Sequence, residues 1–401
     1  MDETNKQAVA GAGTSATGTQ VPAAGQAGSS PARGASGTSH FVEVEDITKW
    51  YPHKTGKLFQ GPREKRPWVK AVDGVSFSLD RGEVLGVIGE SGCGKSTLGR
   101  MLCRLEEPTR GDVTIGGVST GTMIKKDFRS FRRTVQMIFQ NPFDTFTPRD
   151  TIGQILMRPL RIHHIGTNDE ERRQMCVKAL EEGGLHPAGE MMERFPYELS
   201  GGQLQRVSII RSMSLGPSLI VADEPVSMLD VSVRADIINM LIEISRGRDN
   251  AMVFISHDIA ITRNISDYIA VMYLGRIVEY GTADDVVKNP QHPYTQVLIS
   301  NCASIDPDDA VRPIPIEGEP PTPVNPGPGC YFAPRCFKAC ERCFKEYPGR
   351  TAIGGDHYAC CWRIGEDAGT PAVTGSATPR PTDAPESAGD PAAAPAGAIG
   401  K

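Results

Sequence analysis

Val84-Leu85-Gly86-Val87-Ile88 runs without a break into Gly89-Glu90-Ser91-Gly92-Cys93-Gly94-Lys95-Ser96-Thr97. The first five residues read as a short strand buried on both faces, and Thr97 to Leu105 reads as a helix. Between them lies the pattern G-x4-G-K-[ST], in the strand–loop–helix setting that gives it meaning. Glycines let backbone N–H groups converge on phosphate oxygens without side-chain clashes, and the helix N-terminus adds partial positive charge there. Lys95 is predicted to reach the β- and γ-phosphates of a nucleotide, and Ser96 to offer its hydroxyl to Mg²⁺. Gly89, Ser91, Gly92, Cys93, Gly94 and Thr97 complete the expected cradle.

Moving outward, Leu219-Ile220-Val221-Ala222-Asp223-Glu224 places two carboxylates at the end of an apolar strand, where ligands sit in open α/β sheets. Asp223 suits Mg²⁺, directly or through water, and Glu224 can polarise an attacking water. A third buried strand, Met252–Ile255, follows the helical stretch 231–246, and residues 150–195 read as helical with a break at Gly183-Gly184. Upstream, Phe41–Glu45 and Val72–Leu79 alternate like half-buried strands, with Arg81-Gly82-Glu83 as a turn and residues 53–67 as a loop. Strands alternating with helices imply a parallel sheet covered on both faces.

Leu199-Ser200-Gly201-Gly202-Gln203, ahead of the helical run Leu204–Leu215, is a second nest of backbone N–H groups suited to an anion. This pentapeptide resembles the signature motif of ABC ATPases, and it precedes the acidic strand in that family's order. The resemblance implies an α/β fold: a P-loop NTPase cassette with a RecA-like core, an antiparallel β subdomain and a helical subdomain at about 141–215. It further implies that Gln140 touches Mg²⁺ and senses the membrane partner, and that His257 contacts the γ-phosphate. Tyr51 is implied to stack on adenine. Ser227-Met228-Leu229-Asp230 resembles the D-loop, with Met228 where alanine is usual. Glu224, His257 and Gln140 are thus the expected catalytic group. Ser200, Gly201, Gly202 and Gln203 are expected to meet ATP held by a second subunit in a head-to-tail dimer.

Asp223–Ser227, Asp230–Ala235 and His292-Pro293-Tyr294-Thr295 resemble the oligopeptide/dipeptide importer ATPases, near their F-type subunit. Asn141-Pro142 and Pro148-Arg149 agree with that group, and Phe143–Thr147 between them departs from it. His292–Thr295 by itself is a proline-started helix with no visible chemistry, and is read as structural. The resemblance covers about residues 41–362. It implies a different, D-type ATPase chain as partner, two integral membrane permease subunits, and an extracytoplasmic solute-binding protein acting indirectly. The implied place is the cytoplasmic face of the cell membrane. Peptide is the expected cargo, with oligosaccharides and nickel chelates as alternatives within the group. A soluble ABC ATPase of translation or DNA repair is disfavoured by the single cassette and the lack of a heptad run. Complete hydrolytic chemistry disfavours an iron–sulfur sensor that uses ATP only as a signal.

Six of the ten cysteines crowd between positions 330 and 361. In a reducing compartment such a cluster points to a metal more than to disulfides. Cys330, Cys336, Cys343 and Cys360 resemble the importers' C-terminal motif, which implies a [4Fe–4S] cluster in a small cysteine-rich metal-binding domain. Four thiolates also suit zinc, and Cys340-x2-Cys343 has a spacing that zinc accepts. The expected division is therefore a disordered tail (1–40), the nucleotide-binding domain (41–300), linker and cysteine-rich region (301–364), and a second disordered tail (365–401). Both tails are rich in small residues and lack the apolar surface that would offset ordering. A formal net charge of −5 leaves no global basic field for nucleic acid. No run approaches the roughly 18 apolar residues of a membrane span.

Overall fold

The computed structural model describes residues 39–53, 67–247, 250–301, 313–316 and 318–365. Nearly all of both expected tails, most of the 53–67 loop and part of the proline-rich linker lie outside these residues. Among the described residues, twelve strands fall into two sheets. The antiparallel one has the order β2-β1-β4-β5, from β1 (Val42–Pro52), β2 (Trp68–Leu79), β4 (Arg110–Ile115) and β5 (Val118–Ser119).

The second sheet runs β11-β12-β10-β9-β3-β8-β7-β6. Its parallel portion comprises β3 (Val84–Ile88), β6 (Val135–Ile138), β7 (Leu219–Asp223), β8 (Ala251–Ile255) and β9 (Tyr268–Tyr273). Every residue of β3, β7 and β8 is buried, as near-continuous apolar runs require when helices cover both faces. The antiparallel strands β10 (Arg276–Thr282), β11 (Thr351–Gly354) and β12 (His357–Ala359) extend the sheet.

Of the helices, α1 (Lys95–Leu102) follows β3, with α2 (Thr120–Lys126) and α3 (Phe128–Thr134) before β6. Next come α4 (Ile152–Ile162), α5 (Asp169–Glu182), α6 (Ala188–Met191) and α7 (Gly201–Met213). These four share a separate core that includes Ile152, Leu156, Leu180, Met191, Leu204 and Val207. Capping boxes start α4 (Thr151 with Gln154) and α7 (Ser200 with Gln203), each satisfying backbone donors that a helix start leaves open. The chain continues through α8 (Val231–Gly247), α9 (Ile259–Ile265), α10 (Ala283–Lys288), α11 (Pro293–Ser300) and α12 (Glu341–Lys345).

The cysteine-bearing segment is not a freestanding unit. Tyr358 and Ala359 of β12 pair with Tyr280 and Glu279 of β10, so the C-terminal hairpin is stitched into the nucleotide sheet. Phe332, 1% exposed, packs edge-on against Tyr273 of β9 at 5.2 Å and lies 5.3 Å from Tyr294 of α11. Aromatic pairs of this kind contribute about 0.5–1.5 kcal/mol each beyond their buried area. Tyr331 donates its hydroxyl to Asp73 of β2 at 3.1 Å, and the same carboxylate takes Arg276 at 2.7 Å and Trp50 Nε1 at 3.0 Å. No helix among the described residues is long and apolar enough to cross a membrane.

Candidate functional site

The loop 89–94 joins β3 to α1, and its glycines are dictated by space. A Cβ on Gly94 would sit 2.0 Å from the carbonyl oxygen of Ala71, at a φ of +104° that L residues rarely adopt. One on Gly89 would sit 2.2 Å from the Met272 carbonyl. Lys95 is 5% exposed, and its ammonium donates to the carbonyls of Gly89 (2.7 Å) and Glu90 (3.1 Å). It thereby holds the loop curled back on itself. Ser91 and Gly92 are exposed at the loop's rim, while Cys93 is buried beneath it, its thiol pushed up by burial.

Ser96 Oγ donates to Asp223 Oδ1 at 2.9 Å, which brings the first residues of α1 to the end of β7. Burial raises the Asp223 pKa, with Glu224 adding to it and the Ser96 hydrogen bond opposing. An adjacent hydroxyl and carboxylate of this kind fit a hard divalent cation such as Mg²⁺, which takes oxygen ligands.

Glu224 has a φ of +47°, a left-handed conformation uncommon for a non-glycine residue and typical of functional turns. Its backbone N–H donates to Ile255 at 2.9 Å, tying the turn to the end of β8. Two side chains then meet at its carboxylate, and a third holds its backbone carbonyl. Gln140 Nε2 donates to Glu224 Oε2 at 3.1 Å, and His257 Nδ1 lies 3.4 Å from the same oxygen. Gln140 also donates to Ser227 Oγ at 3.2 Å, and Ser227 donates to the Glu224 carbonyl at 3.1 Å. Three segments that are distant in sequence, ending β6, β7 and β8, thus present one glutamate to the space beyond Lys95.

Tyr51 and Trp50 point to different work. Trp50 is committed to Asp73, whereas the Tyr51 phenol is raised in pKa by burial and then by Glu106, with Thr97 and Arg100 of α1 acting on the same hydroxyl. Tyr51 therefore stands beside the helix that follows the phosphate loop. Ser200, Gly201, Gly202 and Gln203 form the start of α7, with Ser200 exposed, Gly201 and Gln203 half-buried and Gly202 buried. Ser200 Oγ accepts from Gln203 N at 3.3 Å, and a Cβ on Gly202 would lie 2.3 Å from Val233 Cγ1. Met228 is 64% exposed on the neighbouring loop.

Two residues escaped the sequence reading. Glu90 of the phosphate loop accepts a forked pair from Arg335 (2.7 and 3.1 Å), and its backbone N–H donates to Tyr294 Oη at 2.8 Å. Arg335 carries no signal of its own in the sequence, and Tyr294 reads there as part of a structural helix start. No local spacing signals contacts across 245 and 204 positions.

The four expected cluster ligands do not share one pocket. Cys330, Cys336 and Cys343 line it together with Cys361, while Cys360 turns toward β10 with its Sγ 3.7 Å from the Ile277 carbonyl. The reason is alternation: adjacent residues at the end of β12 face opposite ways. Burial pushes the Cys330 thiol up to about 11 and that of Cys336 up to about 12. Cys340 and Cys343 bring their sulfurs to 3.4 Å. The donor chemistry suits a soft metal, but the geometry does not. Among the described residues no three His, Cys, Asp or Glu side chains are grouped to hold an ion.

Residues 72–227 match the family model described as ABC transporter, and residues 278–343 match that of the oligopeptide/dipeptide transporter C-terminal region. The chain is 45% identical over 308 residues to a probable peptide ABC transporter ATP-binding protein, y4tS, of Sinorhizobium fredii, covering 77% of this chain and 85% of that protein. It belongs to the ABC transporter ATPases of the peptide-transporter group. This ABC subunit is also 43% identical over 323 residues to the dipeptide transport ATP-binding protein DppF of Escherichia coli, covering 80% and 93% of the two chains. With the oligopeptide transport ATP-binding protein AppF of Bacillus subtilis it shares 42% over 324 residues, or 80% and 96%. Among solved structures, the dimeric post-hydrolysis cassette MJ0796 bound to ADP and Pi superposes on the ABC subunit with a TM-score of 0.52. That match has 26% identity and covers 60% of this chain and 98% of the other. The cassette fold expected from residues 84–96 and 199–203 is the observed one. The cysteine-rich metal-binding domain expected beside it is not seen as such.

Proposed function

We propose that this ABC subunit hydrolyses ATP to drive the uptake of di- or oligopeptides through partner membrane subunits. The single observation that carries the reading is the convergence of Gln140, Ser227 and His257 on Glu224, beside the Ser96–Asp223 pair. Lys95 leaves the carbonyls of Gly89 and Glu90 for the β- and γ-phosphates. Ser96, Asp223 and Gln140 would hold Mg²⁺, which neutralises charge on the phosphate oxygens when bound. Glu224 accepts hydrogen bonding from the attacking water and takes its proton, while Gln140 and His257 orient that carboxylate. His257 is 60% exposed, as a group that answers to an incoming γ-phosphate must be. Tyr51 supplies the flat face for adenine.

Ser200, Gly201, Gly202 and Gln203 serve a second ATPase subunit, read as a different chain of the same family. Their place at a helix start whose cap residue, Ser200, is exposed supports a contact across a dimer, where each γ-phosphate meets donors from both subunits only in the closed state. Two membrane permease subunits and an extracytoplasmic binding protein complete the transporter, which places this chain at the cytoplasmic membrane face. Peptide as cargo draws its support from relatives named for dipeptide, tripeptide and oligopeptide transport.

Iron–sulfur or zinc loading of the cysteine region is a finer proposal. Four thiols on one pocket support it, and the lack of a convergent group opposes it. Metal analysis of anaerobically purified protein, with its visible spectrum, separates iron, zinc and free thiols. The transport reading is tested by isolating the chain from membranes. Recovery with integral membrane subunits and peptide-stimulated ATPase activity is the expected outcome. A lone soluble ATPase indifferent to peptide would overturn it.

A further inference from the structure

The Glu90 backbone and carboxylate are gripped at three points. Its N–H donates to Tyr294 Oη at 2.8 Å, its carbonyl accepts from Lys95 at 3.1 Å, and its carboxylate accepts the Arg335 fork at 2.7 and 3.1 Å. Two of the three come from the C-terminal region, through α11 and the turn before Cys336. Arg335 is itself enclosed, with a side chain 7% exposed, and it also donates to the Gly318 carbonyl at 2.9 Å and to Tyr273 Oη at 3.3 Å. Tyr294 is fully buried. The C-terminal hairpin has a separate attachment to the sheet, through the pairing of β12 with β10.

A carboxylate in a phosphate loop is an electrostatic anomaly. The loop's task is to gather donors and positive charge around a polyanion, and Glu90 brings negative charge to the same place. A bidentate guanidinium is the side chain best matched to a carboxylate in geometry as well as charge. Turned toward Arg335, the Glu90 carboxylate is neutralised and held off the phosphate path, while Tyr294 fixes the backbone N–H at the loop's first bend.

We propose that Arg335 and Tyr294 are positioning residues of the nucleotide site, with Arg335 setting ATP affinity by neutralising and orienting Glu90. The inference rests on the reading of residues 89–96 as the ATP site. It makes the C-terminal region part of the nucleotide machinery, so that this segment cannot be exchanged or trimmed without changing affinity for ATP.

The test is equilibrium binding of a fluorescent ATP analogue to the full chain, with thermal melting on the same samples. Arg335→Gln is expected to weaken binding about tenfold, the loss of one charge-assisted pair. In a Glu90→Gln background the same substitution is expected to change binding by less than about twofold, because the charge it served is gone. An equal loss in both backgrounds would mean that Arg335 acts by packing alone, and no loss in either would mean that it does not act on the site. Both results overturn the proposal. Should Arg335→Gln fail to fold, Arg335→Lys is read in the same two backgrounds. It keeps the charge and loses the fork, and a loss of about threefold confined to the Glu90 background is expected. Failure of the unaltered chain to bind the analogue would instead strike the reading of the loop itself.

Discussion

Replacing Glu224 with glutamine separates chemistry from binding at this site. The amide keeps the size of the side chain and its ability to meet Gln140 and His257, which lie 3.1 and 3.4 Å from Glu224 Oε2. The backbone turn at φ +47° and its hydrogen bond to Ile255 are indifferent to the change, so stability should move by less than about 0.5 kcal/mol. What disappears is a negatively charged acceptor able to take a proton from water. General-base catalysis contributes about 10²–10⁴ in rate. At 1.36 kcal/mol per tenfold, that is about 2.7–5.4 kcal/mol added to the barrier. Lys95, Ser96 and Asp223 are untouched, so affinity for ATP should stay within about threefold of the parent. Phosphate release by the assembled transporter, with nucleotide binding on the same preparation, reads both quantities. Turnover within about threefold of the parent would refute the role given to Glu224. Loss of binding along with turnover would show that the residue supports the cradle and not the water.

Three further substitutions test neighbouring parts of the account. Gly94→Ala drives a Cβ to 2.0 Å from the Ala71 carbonyl at a φ of +104°, and should cost about 2–4 kcal/mol in denaturant unfolding and abolish ATP binding. Ser200→Ala removes the acceptor for Gln203 N, so the start of α7 should lose about 1 kcal/mol by thermal melting. Binding at the chain's own loop should survive that change, while turnover of the assembled pair falls. His292, buried and holding Tyr294 N through Nδ1, has its pKa lowered by burial to about 3 from an ordinary value of 6.5. The unfolded chain takes up a proton below pH 6.5 that the folded chain refuses, so stability from this group is complete at neutral pH and falls as pH drops toward 3. Between pH 7.5 and 5.5 the loss is about 1.4 kcal/mol. His292→Asn, which can still cap α11, should shrink the stability difference between those two pH values by that amount in urea titrations. An unchanged difference would count against the buried neutral imidazole.

The parts of the site that were legible in the sequence are those whose chemistry is met within a few residues. Gly89–Ser96 must combine glycines, lysine and serine in order, and Ser200–Gln203 must cap a helix while leaving N–H groups free. Asp223 and Glu224 must close an apolar strand. Each constraint is local, so each leaves a readable trace. The long hairpin β9–β10 and the docking of β12 on β10 left none, because pairing between Tyr280 and Tyr358 is decided by the assembled sheet. The clamp on Glu90 was hidden for the same reason, with partners at 294 and 335 that look like helix and turn residues until the fold brings them round. Between Cys360 and Cys361, spacing alone does not say which faces the pocket. That depends on the phase of a three-residue strand, and it is Cys361 that lines the pocket beside Cys330, Cys336 and Cys343.

Imaging the complete transporter with a non-hydrolysable ATP analogue tests the central claim most directly. Lys95 and Ser96 should be found on the triphosphate from one side, with the glycine turn of the companion ATPase hydrogen-bonded to the γ-phosphate from the other. Ser200 and Gly202 of this chain should face the companion's nucleotide in the same way. An analogue-filled complex in which each triphosphate touches a single subunit, with the two glycine turns left in solvent, would contradict it.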